Sequence, residues 1–135
     1  MAAAPPLPGQ GEIHKTLALY AHFLDDRDGE NWSRLFAPDA KLRLPNAELV
    51  GRAAIRGSIE HMWATRPEER RVHFCTTSIV HAAGETASAE TEVAEYAPAG
   101  ADDWQCCGHG RYHDRLIRVG SRWLFQERWV HFPIE

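Results

Sequence analysis

The sequence predicts an α+β domain in which three helices pack on a strongly bent, mostly antiparallel sheet. The chain has 135 residues, the size of one domain. Its first half places apolar residues at helical spacing. Its second half changes to long segments of β type joined by short turns. Helices followed by a run of such strands favour an α+β fold over an alternating α/β fold.

The first half predicts a leader, three helices and a small hairpin. Residues 1–11 are rich in Ala, Pro and Gly, so we expect a flexible leader followed by a single domain over residues 12–135. The predicted elements are a helix from Glu12 to the polar cluster at 25–29, a short helix around Trp32, Leu35 and Phe36, a hairpin of 41–44 with 48–50, and a helix from Gly51 to about Thr65. Pro38 is expected to stop the second helix, because proline disfavours helical angles at the residue before it.

The second half predicts four strands. They span residues 70–81, 88–97, 105–118 and 122–132, with turn signals between them. Gly108 and Gly110 lie inside the third of these strands and indicate a bulge or a bend there.

Composition excludes several classes of function. The formal charge of −4 and the pI near 6.0 provide no basic face for nucleic acid. The three cysteines, Cys75, Cys106 and Cys107, lack the number and spacing of a disulfide framework or a zinc site. No apolar run approaches the roughly 20 residues that span a bilayer, and we expect a cytoplasmic protein. We also expect that the protein uses neither a metal nor an organic cofactor.

Asp25 and His73 are the first candidates for chemistry. Asp25 continues the apolar stripe of the first helix, so it either faces a cavity or belongs to a solvated helix end. On the first long strand, alternation places His73, Cys75, Thr77 and Ile79 on one face. That face resembles a cavity wall, although a histidine on a strand is more often a hydrogen-bonded core residue.

Five further side chains are candidates for a pocket. For the aromatic residues, core packing is the alternative interpretation; the guanidinium of Arg128, amid apolar neighbours, needs a carboxylate, an oxygen-rich ligand or an interface. The five are Tyr20, Tyr96, Tyr112, Arg128 and Trp129.

Taken together, the order and spacing of several short motifs resemble the SnoaL-like branch of the nuclear transport factor 2-like superfamily. These motifs are Ile13…Leu17…Tyr20-x4-Asp25, then Trp32…Leu35-Phe36-Ala37-Pro38-Asp39-Ala40, then Gly51-Arg52-x2-Ile55, Val72-His73-Phe74, and Gly110-Arg111-Tyr112-x-Asp114-Arg115-Leu116…Trp123-x-Phe125-x2-Arg128. The resemblance covers about residues 12–132. It implies a cone-shaped α+β barrel with one deep pocket.

Within this branch the closest pattern is that of the lyases scytalone dehydratase, bile acid 7α-dehydratase and lindane dehydrochlorinase. The resemblance implies that His73 is a general base, that Asp25 orients it, and that Tyr20 and Arg128 assist at the substrate oxygens. Scytalone dehydratase also has a histidine on its middle strand, and residues 88–97 contain none. The expected pocket lining is Leu49, Met62, Trp63, Thr77, Tyr96, Tyr112 and Trp129.

The resemblance therefore predicts a dehydratase-type lyase acting on a small, apolar, hydroxylated ring compound such as a steroid or polyketide. The same residues also suit an isomerase or a cyclase, and a non-catalytic binding module is a further alternative. We expect a homodimer or homotrimer, because the superfamily usually buries the outer face of its sheet against another chain.

Overall fold

Three helices and one six-stranded sheet make up residues 10–134 of the chain. The computed structural model describes residues 10–134. The helices are α1 (Gln10–Asp25), α2 (Gly29–Ser33) and α3 (Arg52–Thr65); the strands are β1 (Phe36–Leu44), β2 (Ala47–Val50), β3 (Val72–Ala83), β4 (Thr86–Pro98), β5 (Trp104–Val119) and β6 (Arg122–Ile134). The strand order is β2-β1-β6-β5-β4-β3. The β1–β6 pair is parallel and the other neighbouring pairs are antiparallel, which confirms the predicted fold class.

The first helix starts before its predicted boundary at Glu12. Residues 1–9 of the expected leader lie outside the described residues. Gln10 and Gly11 already belong to α1, so the helix begins two residues before Glu12. No helix within residues 10–134 is long and apolar enough to cross a membrane.

The second helix is shorter than predicted and ends earlier. The side chain of Asp28 caps it by accepting a hydrogen bond from the backbone N–H of Asn31 at 3.1 Å. Phe36 is not helical but begins β1, and Pro38 lies within that strand, where the pairing with β6 shifts register. Proline has no N–H to donate to a sheet ladder, so it is tolerated where the ladder is interrupted. The expected hairpin is present as β1 and β2.

The core lies between α1 and the concave face of the sheet. Ile13, Leu17 and Tyr20 on one face of α1 pack against residues such as Phe36 and Phe125. On β4 the residues at alternate positions face this core; they are Ala87, Ala89, Thr91 and Val93. Helix α3 crosses near β1 and β2 and buries Ile55. This leaves a space between α1, α3 and the end of the sheet.

A bulge in β3 changes which residues face inward. Pairing with β4 shifts between Cys75 and Ser78. Beyond it, the hydroxyl of Ser78 lies 2.9 Å from that of buried Thr91, while Thr77 and Ile79 are exposed. The predicted face of the strand is therefore correct at His73 and wrong at Thr77, because one extra residue reverses the alternation.

The two glycines of β5 lie at register shifts, as predicted. Pairing shifts near Gly108 on the β4 side and near Gly110 on the β6 side. A Cβ at Gly110 would clash with the carbonyl oxygen of His131, so β6 approaches too closely for any side chain.

Candidate active site

An apolar cavity of about 330 Å³ opens between α1, α3, the β1–β2 hairpin and the sheet. Its volume lies at the lower end of the range for small-molecule pockets, roughly 300–1,000 Å³. Most of its walls are hydrocarbon or aromatic. The apolar residues that line it without having been predicted are Leu24, Trp32, Leu42, Leu44, Pro45, Ile55, Ile59, Val130 and Phe132.

Asp25 faces this cavity rather than forming a solvated helix end. One of its carboxylate oxygens, Oδ1, lies 2.6 Å from Nδ1 of His73. Both oxygens also accept the backbone N–H of His73, at 3.1 and 3.2 Å. The last turn of α1 is thereby tied to the start of β3, and the imidazole is held in one orientation.

Glu95 is a third member of this cluster that the sequence interpretation missed. Its Oε1 lies 2.7 Å from Nε2 of His73, opposite the bond to Asp25. A signal was available in the sequence, because Glu95 continues the inward-facing alternation of Thr91 and Val93 on β4. We call Asp25, His73 and Glu95 the carboxylate–histidine chain.

The carboxylate–histidine chain favours a protonated histidine. Burial alone lowers the pKa of His73, but its hydrogen bonds with Asp25 and Glu95 outweigh burial and raise the pKa to about 9. At neutral pH both ring nitrogens then carry protons and donate to carboxylates. This charge state differs from that of a free imidazole base.

Two tyrosines form the inner end of the cavity. The rings of Tyr20 and Tyr112 meet edge to face with centroids 5.5 Å apart, and both residues line the cavity. Burial raises the pKa of Tyr20 to about 12 and raises the pKa of Tyr112 well above its ordinary value. Both phenols are therefore neutral and can donate hydrogen bonds.

Arg128 lies beneath these rings and does not line the cavity. Its Cζ is 4.1 Å from the centroid of Tyr20 and 3.9 Å from that of Tyr112. Nε and Nη2 donate to the two oxygens of Asp114 at 2.6 and 2.7 Å, while Nη1 has no hydrogen-bond partner within residues 10–134. Of the partners that the sequence allowed for Arg128, the structure shows a carboxylate, that of Asp114.

The predicted lining residues divide into two groups. Leu49, Met62, Trp63 and Tyr112 line the cavity. Three predicted lining residues do not line it, because they lie on the other face of the sheet or beyond a bulge. Thr77 follows the bulge of β3, Tyr96 packs edge to face on exposed Phe74, and Trp129 stacks on His131.

The mouth of the cavity carries charged residues that were not predicted. Arg27, whose φ of 55° is left-handed, donates from its guanidinium to the carbonyl oxygens of Pro67 and Glu69 at 3.0 and 2.9 Å. These bonds fasten the segment between α3 and β3 to the end of α1. Glu69 and Arg71 then border the opening.

No group of three His, Cys, Asp or Glu side chains within residues 10–134 has the geometry of a metal site. The carboxylate–histidine chain is linear, with the imidazole between its two acids. Each ring nitrogen faces one carboxylate, so the cluster can hold protons on the imidazole.

Structures similar to this one are known. An NTF2-like protein with a cystatin-like fold from Novosphingobium aromaticivorans is 22% identical, with a TM-score of 0.82 over 93% of this chain and 82% of its own. A scytalone dehydratase-like protein from the same organism is 20% identical, with a TM-score of 0.78 over 92% and 83%. ActVI-ORFA from Streptomyces coelicolor is 20% identical, with a TM-score of 0.79 over 91% and 96%. At these identities the likeness shows the cone-shaped fold.

Sequence comparison identifies the family. No curated protein matches the sequence at a significant level. A family profile described as a SnoaL-like domain matches residues 7–129, which is most of the chain. The protein therefore belongs to the SnoaL-like family.

Proposed function

We propose that the protein is a cofactor-independent lyase that removes water from a hydroxylated, mostly apolar ring compound such as a steroid or polyketide derivative. The observation that carries this proposal is the carboxylate–histidine chain in the wall of an apolar cavity that also contains Tyr20. One side of the cavity can exchange protons and the other can donate to an oxygen. Elimination of water needs both functions.

The cavity supports the substrate class. Its volume of about 330 Å³ suits a compound of a few fused rings, and its hydrocarbon walls suit a largely apolar one. Apart from Asn46, Ser58 and the charged residues at the mouth, the polar groups that line the cavity are the carboxylate–histidine chain and the two tyrosines, which come from different elements. The scytalone dehydratase-like neighbour has a name consistent with loss of water.

The proposed reaction is a β-elimination. The carboxylate–histidine chain removes a proton from a carbon beside a carbonyl group, and the electron pair moves to the carbonyl oxygen. Tyr20 donates a hydrogen bond to this oxygen as negative charge develops on it. The electron pair then returns to form the double bond, the carbon–oxygen bond to the hydroxyl breaks, and the hydroxyl leaves with a proton as water.

In this mechanism Arg128 acts through the tyrosines rather than on the substrate. Its charge lies against the Tyr20 and Tyr112 rings and opposes the effect of burial on the pKa of both phenols. A phenol beside a fixed positive charge is a stronger donor to a developing anion. Arg128 is therefore proposed as a positioning residue, in place of the direct role implied by the resemblance.

Mass spectrometry tests the proposal. Wild type, His73→Ala and the matched control His81→Ala, which changes an exposed histidine on the same strand, are incubated with a panel of hydroxylated ketones, steroids and polyketide intermediates. We expect loss of one water with wild type and His81→Ala but not with His73→Ala. An isomer of unchanged mass would instead support an isomerase or cyclase, and binding without conversion would support a binding module.

A further inference from the structure

Glu95 is the member of the carboxylate–histidine chain that is most open to the cavity. Its side chain is 27% exposed, compared with 20% for Asp25 and 8% for His73. One oxygen, Oε1, is bonded to His73. Within residues 10–134 the other oxygen, Oε2, takes part in no hydrogen bond, and it lies 3.8 Å from where a Cβ on Gly108 would stand, near cavity-lining Phe132.

His73, by contrast, has no free nitrogen. Nδ1 is bonded to Asp25 and Nε2 to Glu95, and the side chain is nearly buried. A general base needs a lone pair within reach of the substrate proton. An imidazolium that donates from both nitrogens has none, whereas the free oxygen of Glu95 does.

We propose that Glu95 is the catalytic base that takes the proton from the substrate carbon, and that His73, donating to two carboxylates, is a positioning residue that orients Glu95. This inference rests on the proposed elimination reaction and names the atom that carries it out, Oε2. It assigns the orienting role to His73 and the chemical role to an acid that the sequence interpretation did not include.

The steps balance without a further reactant. The carbon–hydrogen bond beside the carbonyl breaks, its proton moves to Oε2 of Glu95, and its electron pair moves to the carbonyl oxygen, which is hydrogen-bonded to Tyr20. The double bond forms as the carbon–oxygen bond breaks. Glu95 returns the proton to the departing hydroxyl, so water leaves and the carboxylate is restored.

The pH dependence of kcat/KM has opposite signs if His73 is the base and if Glu95 is the base. If His73 were the base, kcat/KM would rise as pH passes about 9, where its ring loses a proton. If Glu95 is the base, kcat/KM is already high at neutral pH and falls as pH passes about 9, because the charged partner that orients Glu95 is lost. The titratable groups that face His73 are Asp25 from α1 and Glu95 from β4.

The variants Glu95→Gln and Glu95→Asp test the assignment, with Glu92→Gln as the matched control. Glu92 lies on the same strand and pairs with exposed Arg111, away from the cavity. The probe is 3-hydroxy-1-tetralone, a bicyclic β-hydroxy ketone whose loss of water yields the strongly absorbing 1-naphthol. We expect Glu95→Gln to lower kcat by about 10²–10⁴-fold with KM changed by less than about threefold.

Glu95→Asp keeps the carboxylate on a shorter stem and should recover part of the lost kcat, which a purely structural role would not predict. Thermal melts establish that each variant is folded. Retention of more than about a third of kcat by Glu95→Gln, or a wild-type kcat/KM that rises through pH 9, overturns the assignment while the lyase proposal stands. No water loss by the wild type from this probe or from any compound of the panel overturns both.

Discussion

Removing the charge of Asp114 tests how much the buried ion pair beneath the cavity contributes to stability. Arg128 is 0% exposed and Asp114 is 4% exposed. Two short hydrogen bonds join them, and burial opposes the charged form of Arg128 while the contact with Asp114 raises its pKa. Asp114→Asn keeps the shape of the side chain but leaves the guanidinium without a counter-charge and turns one of its acceptors into a donor.

The size of the effect follows from burial. Removing one partner of a buried ion pair costs about 3–5 kcal/mol. Unfolding entropy is about 2.1 cal/mol/K per residue, or roughly 0.26 kcal/mol/K for a domain of about 125 residues. The expected decrease in Tm is therefore roughly 12–19 °C.

Differential scanning calorimetry at neutral pH measures this decrease against Glu92→Gln, which breaks an ion pair whose side chains are 38% and 50% exposed. That control should lose less than about 1 kcal/mol, or roughly 4 °C. Adding Arg128→Met to Asp114→Asn should recover much of the loss, because no unpaired charge remains in the core. If Asp114→Asn lowers Tm no more than the control does, an unpaired charge on Arg128 does not carry the expected cost of burial.

Three further predictions concern pH, packing and assembly. His73 has a pKa of about 9 in the folded chain against 6.5 ordinarily, so it stabilises the fold fully below pH 6.5. That contribution, about 3 kcal/mol at most, is lost as pH rises from 6.5 through 9. Chemical denaturation of wild type and His73→Gln across this pH range measures the free energy of unfolding. Equal slopes of this free energy against pH in the two proteins would contradict the prediction. Gly110→Ala places a Cβ against the carbonyl of His131 and should cost at least about 1–3 kcal/mol, whereas Gly57→Ala, in open space on α3, should gain about 0.5–1 kcal/mol. Sedimentation velocity at micromolar concentration should show a dimer or trimer that Trp129→Glu, on the outer face of the sheet, weakens; a wild-type monomer would refute this.

The local elements of the fold were predictable because they follow from residue order. Helical spacing in α1, the turn at Pro45-Asn46 and the alternation of the long strands are properties of neighbouring residues. The end of α2 was not predicted, because the residues after Trp32 pair with β6, a strand far away in the sequence. Local propensity cannot report a partner that is about 90 residues distant.

The site was predictable to the extent that it follows the alternation of its strands. Asp25, His73 and Tyr20 could be named from their stripe, their strand face and the family motif. Thr77 and Trp129 could not be placed, because the bulge in β3 and the register shift in β6 are decided by pairing. A single inserted residue reverses every later side chain, and no local signal marked these insertions.

By itself the sequence determined the family, the order of the elements and two of the three members of the carboxylate–histidine chain. The tertiary structure alone decided that Glu95 bonds to His73 and that Arg128 pairs with Asp114 instead of lining the cavity. Both are contacts between different strands of a curved sheet. Their distances depend on register and curvature, which arise when all six strands pair, so no stretch of sequence contains them.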